Sequence, residues 1–361
     1  MANTLTLPGF VDVHTHLREP STNDVETIAN GTRAAMIGGF VLICDMPNNP
    51  GNPTWSEEKL DEKIAIAARD AHIPTDFYAG AQPESDNIGE LAGMARKAVG
   101  LKLYGAPTTG NERDYEAKDF EEIVQEWHRV APDKPILLHA GRDNLSDMIT
   151  LVADINDHPL HICHVNDPYE VRQVQAAKQN ELDVTCGVCP HHLFKTSHDV
   201  KSQGWFARMQ PPLARQIESE ELWYMLANGQ IDIIETDYAP HSVNAKMDAE
   251  HENPSGIHDP HHRTCFGVPG IEHVGPMLLR QAQLGTIAMD RLIEALVDNP
   301  LRMLRMDGPS SEVTWSMEHF VISQDDVASG AGWTPYLGAV GVGRVIKSVI
   351  NGRNVYERQN S

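Results

Sequence analysis

Six side chains could together hold metal: His14, His16, Lys102, His139, His164 and Asp237. His14 and His16 stand two apart in VDVHTH, and residues two apart on a strand face the same side, so both imidazoles can reach one point. Lys102 lies in GLKLYG, His139 closes ILLH, His164 closes HICH and Asp237 closes IIETD, so each lies in or at the end of a short apolar run. Imidazole and carboxylate ligands suit Zn2+ and its neighbours. His14, His16 and Asp237 form one cluster, and His139 and His164 form another. Two cations ~3.5–4 Å apart need a shared ligand. Lys102 is the candidate. An ammonium between two cations is repelled, so this lysine must lose its proton or be modified. A neutral amine can take up CO2 to give a carbamate, an anionic bridge. One histidine after an apolar strand is more often structural; four histidines and an aspartate at strand ends are not explained that way.

The elements that must position these residues alternate along the chain. Strands are predicted at 9–13, 40–44, 76–79, 100–104, 136–139, 160–164, 183–185 and 231–236. Helices are predicted near 25–37, 56–71, 87–98, 117–130, 144–155, 168–179 and 218–227, with two more at 271–283 and 289–297. This is the order of an α/β (β/α)8 TIM-type barrel, whose chemistry sits at the C-terminal ends of the strands. No glycine-rich phosphate loop follows the first strand, which argues against an open doubly wound sheet. The connections 190–216 and 239–270 read as long structureless loops, which are usually functional. The expected organisation is a metal-dependent hydrolase barrel over 1–314, with a small β-rich C-terminal extension over 315–361 in the same globule.

Composition narrows the partners. The 361 residues carry 29 Lys+Arg against 51 Asp+Glu, a formal charge of −22. That charge argues against nucleic acid and against an acidic membrane surface. The five cysteines, Cys44, Cys163, Cys186, Cys189 and Cys265, have no disulfide-framework spacing. Cys186 and Cys189 form a C-x-x-C, but in the wrong context for a redox helix. His251, His258, His261, His262 and Cys265 share one loop, read as solvated rather than as a metal site. With no basic leader and no long apolar run, the chain reads as cytoplasmic.

The segments PGFVDVHTHLREP (8–20), DMPN (45–48), GLKLYG (100–105), HA (139–140), HICHV (161–165), VTCGVCPHHLF (184–194), TDYAPH (236–241) and GVPGIE (267–272) carry a resemblance. The chain resembles the dihydroorotase family of the amidohydrolase superfamily, and within it the dihydroorotase domain of the animal multifunctional pyrimidine-synthesis protein. The resemblance covers nearly the whole chain.

It implies two Zn2+, or other divalent metals, bridged by carboxylated Lys102. His14, His16 and Asp237 would hold one metal, and His139 and His164 the other. Arg18 and Asn48 would hold the substrate carboxylate, with His241 in the same pocket. An arginine fork matches a carboxylate. The backbone of Pro269–Gly270 would meet the ring edge, and Thr108 or Thr109 would close over the substrate as part of a lid. The implied reaction is the reversible cyclisation of N-carbamoyl-L-aspartate to L-dihydroorotate in pyrimidine biosynthesis. A hydroxide bridging the two metals attacks in the ring-opening direction, and Asp237 serves as general base and then acid.

Three positions depart from the family. Gly187 stands where relatives usually carry an acidic residue, Gln210 where they often have Asn or Arg, and Tyr238 where His is common. Allantoinase is the nearest rival activity. Dihydropyrimidinase and hydantoinase are disfavoured because their substrates lack the ring carboxylate. A non-catalytic scaffold for aspartate transcarbamoylase is the rival of a different class, and such relatives lose metal ligands. The partner expected is a small-molecule substrate; a homodimer and an aspartate transcarbamoylase complex are left open.

Overall fold

Short apolar runs bounded by turns form strands whose two faces are both covered, as parallel barrel strands require. In a computed structural model, which describes residues 4–21, 25–109, 113–155, 158–252 and 265–358, the barrel strands are Phe10–Thr15, Phe40–Asp45, Thr75–Phe77 with Ala79–Gly80, Leu101–Tyr104, Ile136–His139, Leu160–Ile162, Val184–Val188 and Ile233–Ile234. All pair in parallel. The third strand is broken at Tyr78, whose hydroxyl donates to the Val13 carbonyl at 2.9 Å.

The first and eighth strands close the ring. Thr15 bridges Tyr238 in parallel, and the His16 amide donates to the Tyr238 carbonyl at 2.7 Å. Asp12 reinforces the seam: its carboxylate accepts from the Thr236 amide at 3.0 Å and from the Thr236 hydroxyl at 2.5 Å. This is the (β/α)8 barrel expected from the strand–helix alternation.

Helix starts follow local chemistry. Ser56 caps Glu57–Asp70 by accepting from the Lys59 amide. Asp167 and Glu170 form a capping box around Pro168–Gln179, with proline in the first turn. The connections read as structureless are not so. The first contains helices Pro190–Phe194 and Ser197–Gln203, the second Val243–Glu252. The signals were local: Pro190 at a first helical position, and Thr196 with Asp199 as a capping box. The predicted helix 289–297 is an α-helical turn, Met289–Ile293, continued by a π-helical one, Glu294–Asp298.

The β-rich extension is a four-stranded antiparallel sheet. Its order is Thr4–Leu7, Ser311–Val321, Val340–Ile350, Arg353–Glu357, so the chain's N-terminal strand forms one edge. Trp315, fully buried, pins this sheet to the barrel, its ring 5.7 Å from that of Phe10. Gly39 and Gly275 lie against the indole, where a Cβ would overlap it. Among the described residues no helix is long and apolar enough to cross a membrane.

Candidate metal centre

The C-terminal strand ends bring the predicted ligands together. His14 Nε2 lies 3.4 Å and His16 Nε2 3.0 Å from Asp237 Oδ1. His139 Nδ1 lies 2.9 Å from His164 Nε2, and the His14 and His164 rings are 5.0 Å apart. Lys102 is fully buried between these pairs and lines the same cavity. Its Nζ is 3.0 Å from Cys163 Sγ, and no ion pair among the described residues neutralises it.

The donor set fits metal. His139 Nε2 and His164 Nδ1 are buried with no hydrogen-bond partner among the described residues, an arrangement costly for a polar atom unless another group satisfies it. Burial, then the charge of Lys102, pushes His14 down to about 4. His16, His139 and His164 are likewise held well below the ordinary imidazole range, burial being the main cause in each. Neutral imidazole is the ligand form. Asp237 is raised, chiefly by burial. His164 and Asp237, with φ of 41° and 46°, occupy left-handed backbone, as does Arg18 at 63°. Such strain costs about 1–3 kcal/mol per residue and clusters at functional sites.

Second partners fix the imidazoles. His16 Nδ1 donates to Asn48 Oδ1 at 2.8 Å, and His14 Nδ1 to Glu235 Oε2 at 3.3 Å. Each bond selects the tautomer that leaves Nε2 unprotonated, with its lone pair available to a metal.

Arg18, Asn48, Thr108, Thr109 and Gln210 line the cavity. Arg18 is 4% exposed, and its Nε and Nη1 have no hydrogen-bond partner among the described residues. The Asn48 amide donates to the Thr109 carbonyl at 2.9 Å, and the Thr109 hydroxyl to the Phe266 carbonyl at 3.3 Å, which draws this loop over the mouth. His241 does not line the cavity. It stands behind Arg18, its Nε2 3.5 Å from Nη2 and 2.8 Å from the Phe266 carbonyl. Pro269 and Gly270 do not line it either: Gly270 starts helix Ile271–Leu284 at φ 118°, against Thr334 and Tyr336. Phe266 and Gly267 take that wall, with Ala239 and Tyr104.

Sequence reasoning assigned nothing to Tyr104 or Glu235. Alternation could have found both: Tyr104 is two residues past Lys102, and Glu235 two before Asp237. Of the three departures, Tyr238 gains a structural account. Its hydroxyl bonds the Glu26 carboxylate, and the Ser329 hydroxyl at 2.7 Å, tying the barrel seam to the extension. Cys186 and Cys189 are buried free thiols, which disfavours a redox role. Cys189 also lies with His191 and His192 in a separate buried cluster. His251 ends helix Val243–Glu252, while His258, His261 and His262 lie outside the described residues.

A closed parallel barrel with a buried ring of imidazoles, carboxylate and lysine at its C-terminal mouth defines a hydrolase-type scaffold. The sequence matches the amidohydrolase family over residues 5–255, and the chain belongs to that family. It is 33% identical to the multifunctional protein CAD of Squalus acanthias over 98% of its own length, which is 15% of that relative. It is 29% identical to an allantoinase of Rubrobacter xylanophilus and 26% to a dihydroorotase of Ehrlichia chaffeensis; 98% and 99% of the chain are covered, and 84% of each relative. An L-hydantoinase of Arthrobacter aurescens shares the fold, with TM-score 0.85 and 21% identity over 99% of this chain and 86% of that one.

Proposed function

We propose that this protein is a dihydroorotase that interconverts L-dihydroorotate and N-carbamoyl-L-aspartate. The observation that carries this reading is Arg18: a buried guanidinium with two nitrogens that have no hydrogen-bond partner among the described residues, lining the same cavity as the candidate metal ligands. A buried cation with free N–H groups requires an anionic partner. The ring carboxylate of dihydroorotate supplies one; dihydropyrimidine and hydantoin rings without it do not. The dihydroorotase and CAD relatives support the same reading.

In this proposal His14, His16 and Asp237 would hold one Zn2+ and His139 and His164 the other, and Lys102, if carboxylated, would serve as the shared ligand. When bound, the metal pair supplies a water of lowered pKa and polarises the amide carbonyl. The chain's own residues do the rest. Arg18 and Asn48 orient the carboxylate so that the ring amide faces the ligand cluster. Asp237 takes a proton from the attacking water and returns it to the leaving ring nitrogen. Thr108 and Thr109 exclude bulk water from above.

The allantoinase relative supports a second reading, and retention of all six candidate ligands disfavours the scaffold role. Purified protein supplied with zinc and bicarbonate is assayed on L-dihydroorotate, allantoin and dihydrouracil. Turnover of the first, abolished by chelation and by Lys102→Ala, is expected. Turnover of allantoin alone replaces the proposal with the rival, and no turnover of any of the three sinks it.

A further inference from the structure

Glu235 is completely buried, yet nothing in the reaction proposed above uses it. It follows Ile234 of the eighth strand, and its amide donates to the Val188 carbonyl of the seventh. Its carboxylate crosses the seventh strand. One oxygen, Oε2, accepts from His14 Nδ1 on the first strand and from His161 Nε2 on the sixth, both at 3.3 Å. The other accepts from the backbone amide of His164, just past the sixth strand. Thr185 Oγ1 lies 2.8 Å from His161 Nδ1, and because the Glu235 carboxylate only accepts, the proton between it and the ring is on His161 Nε2. One carboxylate thus touches a candidate ligand from each metal cluster: the ring of His14 and the main chain of His164.

Glycine at residue 187 leaves the room for this crossing. A Cβ built there would lie 2.5 Å from Glu235 Oε1 and 2.6 Å from its Cδ. Gly187 also accepts the Val165 amide at 2.8 Å, so the strand cannot shift away without breaking the link to the sixth strand. A carboxylate can therefore enter this pocket from the seventh strand or from the eighth, but not from both. In this chain residue 187 is glycine, and the eighth strand provides the carboxylate.

We propose that Glu235 is the positioning residue of the metal centre, setting the His14 ring and the His164 backbone together, and that Gly187 is the space it needs. The inference rests on the proposed metal-dependent function. It assigns Glu235 no contact with substrate. It predicts that the carboxylate is exchangeable between the two strands.

The experiment uses the full chain and four variants: Glu235→Gln, Glu235→Gly, Gly187→Glu, and Gly187→Glu with Glu235→Gly. Affinity for Zn2+ and Co2+ is measured by chelator competition, with the visible Co2+ spectrum as a report on ligand geometry. Unfolding temperature of the chelated proteins is measured in parallel. Loss of such an outer partner costs about 10–100-fold in metal affinity. Each single variant is expected to lose that much, and the double variant to recover at least about tenfold over Glu235→Gly, with a Co2+ spectrum like wild type. Wild-type metal affinity in both Glu235 single variants overturns the positioning role. A double variant no tighter than Glu235→Gly overturns the exchange. Wild-type chain that binds neither metal sinks the underlying function instead, so the two failures are distinguishable.

Discussion

His16 Nδ1 and Asn48 Oδ1 are 2.8 Å apart, and the same Asn48 amide group donates to the Thr109 carbonyl at 2.9 Å. One side chain therefore fixes a candidate ligand's tautomer and anchors the loop over the cavity. Asn48→Ala removes both. Metal affinity is expected to fall about 10–100-fold, with a rise in KM for L-dihydroorotate. Chelator competition and steady-state kinetics check the two effects separately. Asn48→Ser, which keeps a short acceptor, recovers part of the metal affinity but not the loop contact.

Lys102 Nζ donates to the Cys163 thiol at 3.0 Å and sits 5.3 Å from the centre of the Tyr104 ring. Arginine keeps the charge but cannot form a carbamate. Lys102→Arg should therefore lower bound metal below two per chain and reduce kcat by at least about a thousandfold. Elemental analysis of the purified variant beside wild type decides the first point. Two tightly held metals in Lys102→Arg would remove the bridging role.

Arg18→Met keeps the volume of the buried stem and removes the fork. Charge-assisted hydrogen bonds contribute about 1.5–3 kcal/mol, so KM for L-dihydroorotate should rise about 10–150-fold. Any residual activity on dihydrouracil, which lacks the carboxylate, should not change. Equal losses on both substrates would show that Arg18 supports the pocket rather than reading the carboxylate.

Asp12 closes the barrel seam through the His14 amide, the Thr236 amide and the Thr236 hydroxyl. Burial pushes its carboxyl up to about 7. Asp12→Ala orphans buried donors and should cost about 3 kcal/mol in denaturant unfolding. Asp12→Asn should cost less than half of that, because the hydroxyl can reverse and donors still meet one carbonyl oxygen.

Metal-free protein should lose stability as the pH falls from 7.5 to 5.5. His14, His158 and His192 are pushed down to about 4, and His16, His139, His164, His191 and His241 well below 6.5, by burial above all. Between about 6.5 and 4 the unfolded chain protonates these rings while the folded chain does not. The unfolded state then binds more protons, so acidification favours unfolding by about 1.4 kcal/mol per pH unit for each uncompensated proton. Raised carboxyls oppose this: Asp12 and Glu170, both about 7, contribute stability that is full below about 4 and lost as the pH rises to 7, and Glu26, Asp45, Asp76 and Asp237 are raised by burial in the same direction. The imidazoles outnumber them in the upper part of the window. Thermal unfolding of chelated protein at each pH checks the sign; a rise in unfolding temperature on acidification would reverse it.

Much of this was legible without coordinates. The alternation of apolar runs with helical stretches fixes the barrel, because strand and helix periods are local properties. His14, His16, His139, His164 and Asp237 could be placed at one mouth because a barrel sends every strand's C-terminal end to the same face. The walls of the cavity were less legible. Pro269 and Gly270 were expected there and Phe266 and Gly267 stand instead, because loop paths depend on contacts with distant residues such as Thr334 and Tyr336. The helices inside the two long connections were signalled by Pro190 and Thr196, but weakly, since their length is set by packing.

The sequence by itself determined the residue types and which of them share a face of their own strand, because side-chain direction alternates along a strand. Only the tertiary structure decided what lies across from what. Glu235 reaches His14, His161 and His164 over a glycine on the intervening strand. No pattern along the chain encodes that reach, because it depends on the distance between strands and on the one Cβ that is missing between them.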